Sequence, residues 1–220
     1  MTEGPKSTAK RGMLGRLLRS PFFWAAAAAV ITLPLVRPLL RHVPDPPPRV
    51  GTLPGFRLVD QTGRPFGNKD LVGKVHVVDF FFTTCQSICP RLTRAMKALQ
   101  DRFEKNKVPV RLLSITVDPE NDTPEVLAAY AKKYGADLKR WTFVTGTEAE
   151  VRHLIVEGFK THMGQKEKIG DNLIDISHAG LFVIVDGEGG IRGYYRPDEQ
   201  GLDEMFHRSQ HVLREMERGR

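Results

Sequence analysis

Residues 75–93, VHVVDFFFTTCQSICPRLT, carry the only two cysteines of this 220-residue chain, Cys85 and Cys89. The first eight residues, His76 and Asp79 apart, are apolar, β-branched and aromatic, as expected of a strand buried on both faces of a sheet. After the cysteines a helix begins. Pro90 suits a first helical turn, and Leu92, Ala95, Met96, Leu99 and Phe103 recur at helical spacing. Both thiols therefore fall at a strand-to-helix corner. Unpaired N–H groups and the macrodipole at a helix N-terminus favour negative charge, so both thiols are expected to ionise more readily than a free cysteine. Thiolates attack disulfides and bind soft metal ions.

The formal net charge is +7, which invites a nucleic-acid reading until it is divided along the chain. Lys6, Lys10, Arg11, Arg16 and Arg19 against Glu3 give +4 in residues 1–20, and residues 21–50 add +2. The remaining 170 residues hold 25 basic against 24 acidic side chains, a balance of +1. The excess belongs to the N-terminal region, and nucleic acid is dropped as a partner. A 40% hydrophobic content suits a short anchor and one globular domain.

Residues 21–36, PFFWAAAAAVITLPLV, form an uncharged run bounded by Arg19 and Arg37. Sixteen residues fall short of the roughly 20 that span a bilayer, but Pro38, Leu39 and Leu40 extend the run if Arg37 snorkels. A cleaved signal peptide is the competing reading. Cleavage within residues 25–29 would leave too short an apolar core, which favours an uncleaved signal anchor over residues 21–40. Five basic residues before the span place a cytoplasmic tail at 1–20 and turn the domain outward. In a bacterial cell that is the periplasmic side of the inner membrane. Residues 41–50, rich in proline, read as a semi-rigid linker, and residues 51–220 as the domain.

Within the domain, Phe56 to Asp60 alternate like a strand and residues 61–65 turn, giving a first hairpin. Residues 108–117 make a second central strand with Asp118 just past its end. Asp122-Thr123-Pro124-Glu125 reads as a capping box, and so does the stretch from Thr147 to Glu150. Residues 141–144 are a short strand, and residues 160–177, polar and mixed, read as a long loop of a length that is often functional. Residues 181–195 make a closing hairpin, and Leu202, Met205, Phe206, Leu213 and Met216 mark a terminal amphipathic helix. The order strand, helix, strand, helix, strand implies a parallel core. Together these elements describe an α/β, thioredoxin-like fold with an N-terminal β-hairpin extension, preceded by a single transmembrane helix.

Four ordered blocks then make a resemblance specific: FFFTTCQSICPRLT at 80–93, TVDPENDTPEVLAAYAKKYGA at 116–136, RWTFVTG at 140–146 and ISHAGLFVIVDGEGG at 176–190. Over about residues 51–218 the chain resembles the Sco/SenC family of membrane-anchored copper proteins that serve assembly of the CuA centre of cytochrome c oxidase. The resemblance implies copper as cargo, held by Cys85, Cys89 and His178, and as partner a CuA-bearing oxidase subunit or another copper or thiol protein. It also sets Asp118 at the carboxyl edge of the sheet, where open α/β folds place their sites. Two thiolates suit Cu(I), imidazole accepts either oxidation state, and residues at i and i+4 of a helix share one face, so both sulfurs are expected to reach one ion.

Each residue also has a plainer reading. Cys85 and Cys89 could form a structural disulfide, although so short a loop gains little closure entropy. Alternatively they serve as the redox pair of a membrane-anchored thiol-disulfide oxidoreductase, or of a redox or copper sensor. The spacing of three residues between them, not two, tilts the reading toward copper. By residue type alone His178 is an ordinary loop histidine. Asp79 is either a buried carboxylate that tunes the thiols or a strand-edge aspartate. His162 and Met163 offer an accessory soft site only weakly, and His207 and His211 share a solvated helix face.

Overall fold

The structure, a computed structural model, describes residues 20–36, 45–168, 174–178 and 180–219. The chain divides into a unit of residues 1–44 and a unit of residues 45–220. In the first, helix α1 covers Pro21–Val36. No helix among the described residues is long and apolar enough to cross a membrane. Sixteen residues reach about 24 Å at 1.5 Å per residue, against ~30 Å of hydrocarbon. The expected continuation through residues 38–40 and nearly all of the basic tail lie outside the described residues.

The second unit is built on one eight-stranded sheet, ordered β1-β10-β9-β4-β5-β6-β2-β3. Its strands are β1 (Gly51–Thr52), β2 (Arg57–Asp60), β3 (Pro65–Gly67), β4 (His76–Phe81), β5 (Arg111–Thr116), β6 (Trp141–Thr145), β9 (Phe182–Val185) and β10 (Gly190–Tyr195). A short helix α2 (Asn68–Leu71) follows β3. The centre, β4-β5-β6, is parallel, with His76 opposite Arg111 and Leu112 opposite Trp141. Helices α3 (Cys89–Lys105) and α4 (Pro124–Lys133) make the two crossovers. The β2–β3 hairpin lies antiparallel beside β6, and the β9–β10 hairpin beside β4. The terminal helix α6 (Glu199–Arg218) packs on α3, with the rings of Phe103 and Phe206 stacked at 5.4 Å.

β4 is buried along its whole length, including its two polar residues, His76 and Asp79, as expected of a strand at the centre of the sheet. Successive side chains point to opposite faces: Phe80 meets the ring of Phe159 at 5.1 Å, and Phe81 meets Tyr130 at 5.1 Å. The Thr147–Glu150 capping box is present and opens α5 (Glu148–His153), which continues into a π-helical turn, Leu154–Gly158. The other expected box is not formed. Thr123 is the N-cap of α4 and accepts from the N–H of Val126, which leaves Glu125 one position short of the reciprocal contact.

A further expectation needs correction. The long loop over residues 160–177 is instead an antiparallel ribbon, β7 (Met163–Lys168) with β8 (Ile174–His178), whose register sets Met163 opposite His178. The sequence of β7, MGQKEK, lacks the apolar alternation that marks a strand. The described part of the expected linker, residues 45–50, makes contacts with the domain. Pro47 is buried and its carbonyl accepts from Arg192 at 2.9 Å, while Arg49 bonds Asp186 at 2.7 Å.

Candidate functional site

The last rung of the β4–β5 ladder pairs Phe81 with Thr116, and the Val117 N–H donates to the Phe81 carbonyl at 2.8 Å. The chain then turns away from the sheet. A tight bend, closed by the Cys85 N–H to the Phe82 carbonyl at 3.3 Å, carries Cys85, and α3 begins at Cys89 with Pro90 second. Only Cys89 is helical. The two residues therefore do not share a helix face; they meet because the bend folds Cys85 back over the helix start. There the Cys89 N–H donates to the Cys85 sulfur at 3.4 Å, and Ser87 Oγ lies 3.5 Å from the same sulfur. Both cysteines are buried thiols, with no disulfide between them.

These contacts separate the two sulfurs chemically. A hydrogen bond from the Cys89 thiol, with help from Ser87 and the two backbone N–H groups, pulls the Cys85 thiol down to about 5. Cys89 moves the other way, because its thiol is donor to Cys85 and it is buried, with the charge of Asp79 adding to the effect. Easier ionisation at the helix start thus holds for Cys85 and reverses for Cys89. The helix beneath Cys89 is anchored by Thr93, whose hydroxyl donates to the Cys89 carbonyl at 2.9 Å and lies 2.7 Å from the Tyr130 hydroxyl.

Asp79 is a fully enclosed strand residue, not an edge one. Ser114 Oγ donates to its carboxylate at 2.5 Å and in turn accepts from Trp141 Nε1 at 2.8 Å. Burial pushes the Asp79 carboxyl up to about 7. Asp118 sits just past β5 at the carboxyl edge of the sheet, as expected, and accepts from Asn121 Nδ2 at 2.7 Å. It lines a cavity of about 440 Å³ between the end of β5 and the start of β7, together with Arg152 and Met163.

His178 ends β8, and its side chain lies outside the described residues. The backbone beyond it is informative. A Cβ on Gly180 would stand 2.8 Å from Cδ1 of Ile88, so the chain two residues after His178 passes against the residue that precedes Cys89. Arg152 holds the other strand of the ribbon, donating to the carbonyls of Met163 at 3.2 Å and Gly164 at 3.4 Å. Among the described residues no group of three or more His, Cys, Asp or Glu gathers around one point. The weaker candidates separate: Met163 is buried in the core while His162 is exposed, and His207 stands exposed beside Asp203.

The residue that sequence reasoning missed is Asp122. Taken for a helix cap, it is completely buried and accepts from Thr83 and Thr116 at the root of the cysteine bend. The available signal was the aspartate immediately before a Thr-Pro helix start, where Thr123 already serves as the cap.

With this geometry in place, comparison with known proteins is direct. The SCO1/SenC family model matches residues 45–214. A SCO1 protein homolog of Bacillus subtilis (strain 168) is 33% identical over 135 residues, 61% of this chain and 68% of the relative. Among solved structures, a SCO1/SenC family lipoprotein from Bacillus anthracis str. Ames has a TM-score of 0.65 and 31% identity, covering 77% of this chain and 96% of its own. BsSco, described with a disulfide switch and as a member of the Sco family of cytochrome c oxidase assembly proteins, has a TM-score of 0.67 and 27% identity, covering 77% and 98%. The family model covers most of the second unit, cysteine bend and ribbon included, and this chain belongs to the SCO1/SenC family.

Proposed function

We propose that the protein is a copper metallochaperone that holds the ion through Cys85, Cys89 and His178 and passes it to the CuA-bearing subunit of cytochrome c oxidase. The observation that carries this reading is the meeting of two thiols at the carboxyl end of β4, with one of them pulled toward thiolate. Two sulfurs are a donor set suited to Cu(I). The approach of Gly180 to Ile88 supports a role for His178, because it brings the end of β8 to the same corner. Copper is cargo here: each bond from the ion to this chain would break as a ligand on the partner replaces it, and the covalent chain is unchanged.

Residues 21–40 would anchor the domain in the inner membrane as a single pass, with the N-terminus cytoplasmic and the domain periplasmic. The five basic residues before Pro21 support that orientation.

A second reading, a thiol-disulfide oxidoreductase or redox sensor, is favoured by the split between the thiols. Cys85 would attack a partner disulfide as thiolate, and Cys89 would then attack the mixed disulfide to release the reduced partner.

His178→Ala distinguishes them. The metallochaperone loses a ligand while keeping its dithiol, so Cu(I) affinity in a competition titration falls by at least about tenfold. Unchanged affinity, with disulfide exchange lost only in Cys85→Ser and Cys89→Ser, would support the reductase instead.

A further inference from the structure

We infer that Asp122 is the positioning residue of the cysteine bend: its buried carboxylate takes the place of the next rung of the β4–β5 ladder and thereby sets where Cys85 stands relative to Cys89. The inference rests on the copper reading for its main readout, but its geometry is independent of that reading.

Backbone pairing between β4 and β5 stops once Val117 has bonded Phe81. Beyond that point the Thr83 N–H is directed at a carboxylate, 3.1 Å from Asp122 Oδ2 and 3.3 Å from Oδ1. The Thr83 hydroxyl donates to the same Oδ1. From the other strand, the Thr116 hydroxyl donates to Asp122 Oδ2 at 2.5 Å. Asp122 is itself fixed, since its N–H donates to the Asp118 carbonyl at 3.0 Å, and the Asp118 N–H donates to Thr116 Oγ1 at 3.0 Å. One side chain thus fastens the root of the bend to the end of β5 through both backbone and hydroxyl.

The consequence reaches the thiols through very little chain. Thr83 is two residues before Cys85, and the bend that it starts is closed by the Cys85 N–H on the Phe82 carbonyl. A fully buried carboxylate would be a costly way to hold a surface turn, and capping of α4 needs nothing from it because Thr123 does that work. Three donors, the Thr83 N–H and the two hydroxyls, all point at the Asp122 side chain, and a carboxylate accepts from all three without any of them reorienting. Asp122→Asn keeps the shape of the side chain but turns an N–H₂ toward one of the two hydroxyls.

The test uses the full-length chain with four substitutions, read by Cu(I) competition titration, by the alkylation rate of Cys85 with iodoacetamide, and by thermal melting. Asp122→Asn and Thr83→Val are expected to weaken Cu(I) binding by about tenfold or more and to change the alkylation rate. Thr83→Ser restores the hydroxyl and is expected to bind as the parent does. Asp198→Ala removes the N-cap of α6, far along the chain from the bend, and is expected to lower Tm while leaving copper affinity and alkylation unchanged. If Asp122→Asn and Thr83→Val lowered Tm but bound copper and reacted like the parent, Asp122 would be a structural residue only and the inference would be overturned. Should Asp122→Asn fail to fold, Thr83→Val decides alone. If the parent bound no copper, the copper reading would fail, and the alkylation rates would decide the positioning role by themselves.

Discussion

Cys85 and Cys89 are presented by the sequence as a symmetric pair, and the fold makes them unequal. The main reason is the direction of the hydrogen bond between the thiols: Cys89 donates to Cys85, with Ser87 and the Cys89 amide adding to it, and nothing in a spacing of four residues encodes that. Asp79 and His76, on the same strand, oppose each other in their dependence on pH. The Asp79 carboxyl stands at about 7 in the fold against 3.8 ordinarily, because it is buried. Between those values the native state holds the extra proton, so stability falls as pH rises. Burial lowers His76 from 6.5 to about 3, so over that window the unfolded chain holds the extra proton and stability rises with pH. The two slopes largely offset each other between about pH 4 and 6.5. Asp79→Asn removes the falling limb. Measured by urea unfolding from pH 4.5 to 7.5, the variant should gain on the parent with a slope approaching about 1.4 kcal/mol per pH unit. Parallel profiles would show that Asp79 is not a buried acid.

At the scale of elements, the readable parts were those in which apolar pattern and turn chemistry agree. β4, the β2–β3 hairpin, α3 and the Thr147–Glu150 box all have both signals. The β7–β8 ribbon has neither. Its first strand offers Met163 and then only glycine, glutamine and charged residues, so its pairing shows only in the register. Asp122 was hidden differently: beside a Thr-Pro helix start, a cap is the locally sufficient explanation, and its real partner, Thr83, is 39 positions away. Helix α1 poses the opposite problem. Its composition suits a bilayer, while its sixteen residues are short for one. An anchor completed by residues 37–40 predicts that the full-length chain stays in the membrane fraction after carbonate extraction. Release of a soluble mature form that begins after residue 29 would instead establish a cleaved signal peptide.

At the scale of the whole molecule, the fold gathers its chemistry at one edge. The bend after β4, Asp118 after β5 and the ribbon after the π-helical turn all leave the carboxyl ends of the parallel strands or the segments that follow them. The opposite end is closed by structural contacts, such as the buried pair of Arg192 with Asp186 at 2.7 Å, which holds the β9–β10 turn and, through Arg49 and Pro47, the entry of the chain. That division sets the cysteine bend, where a change of chemical state would occur, apart from the contacts that hold the other end of the sheet. The dithiol alone provides two thiolate ligands, whereas a Cys85–Cys89 disulfide provides none. Copper stoichiometry of the full-length chain, measured after full reduction and again after oxidation to the disulfide, is therefore the most direct measurement. The metallochaperone account predicts one tightly held Cu(I) per reduced chain and almost none on the oxidised chain; equal copper on the two forms would contradict it.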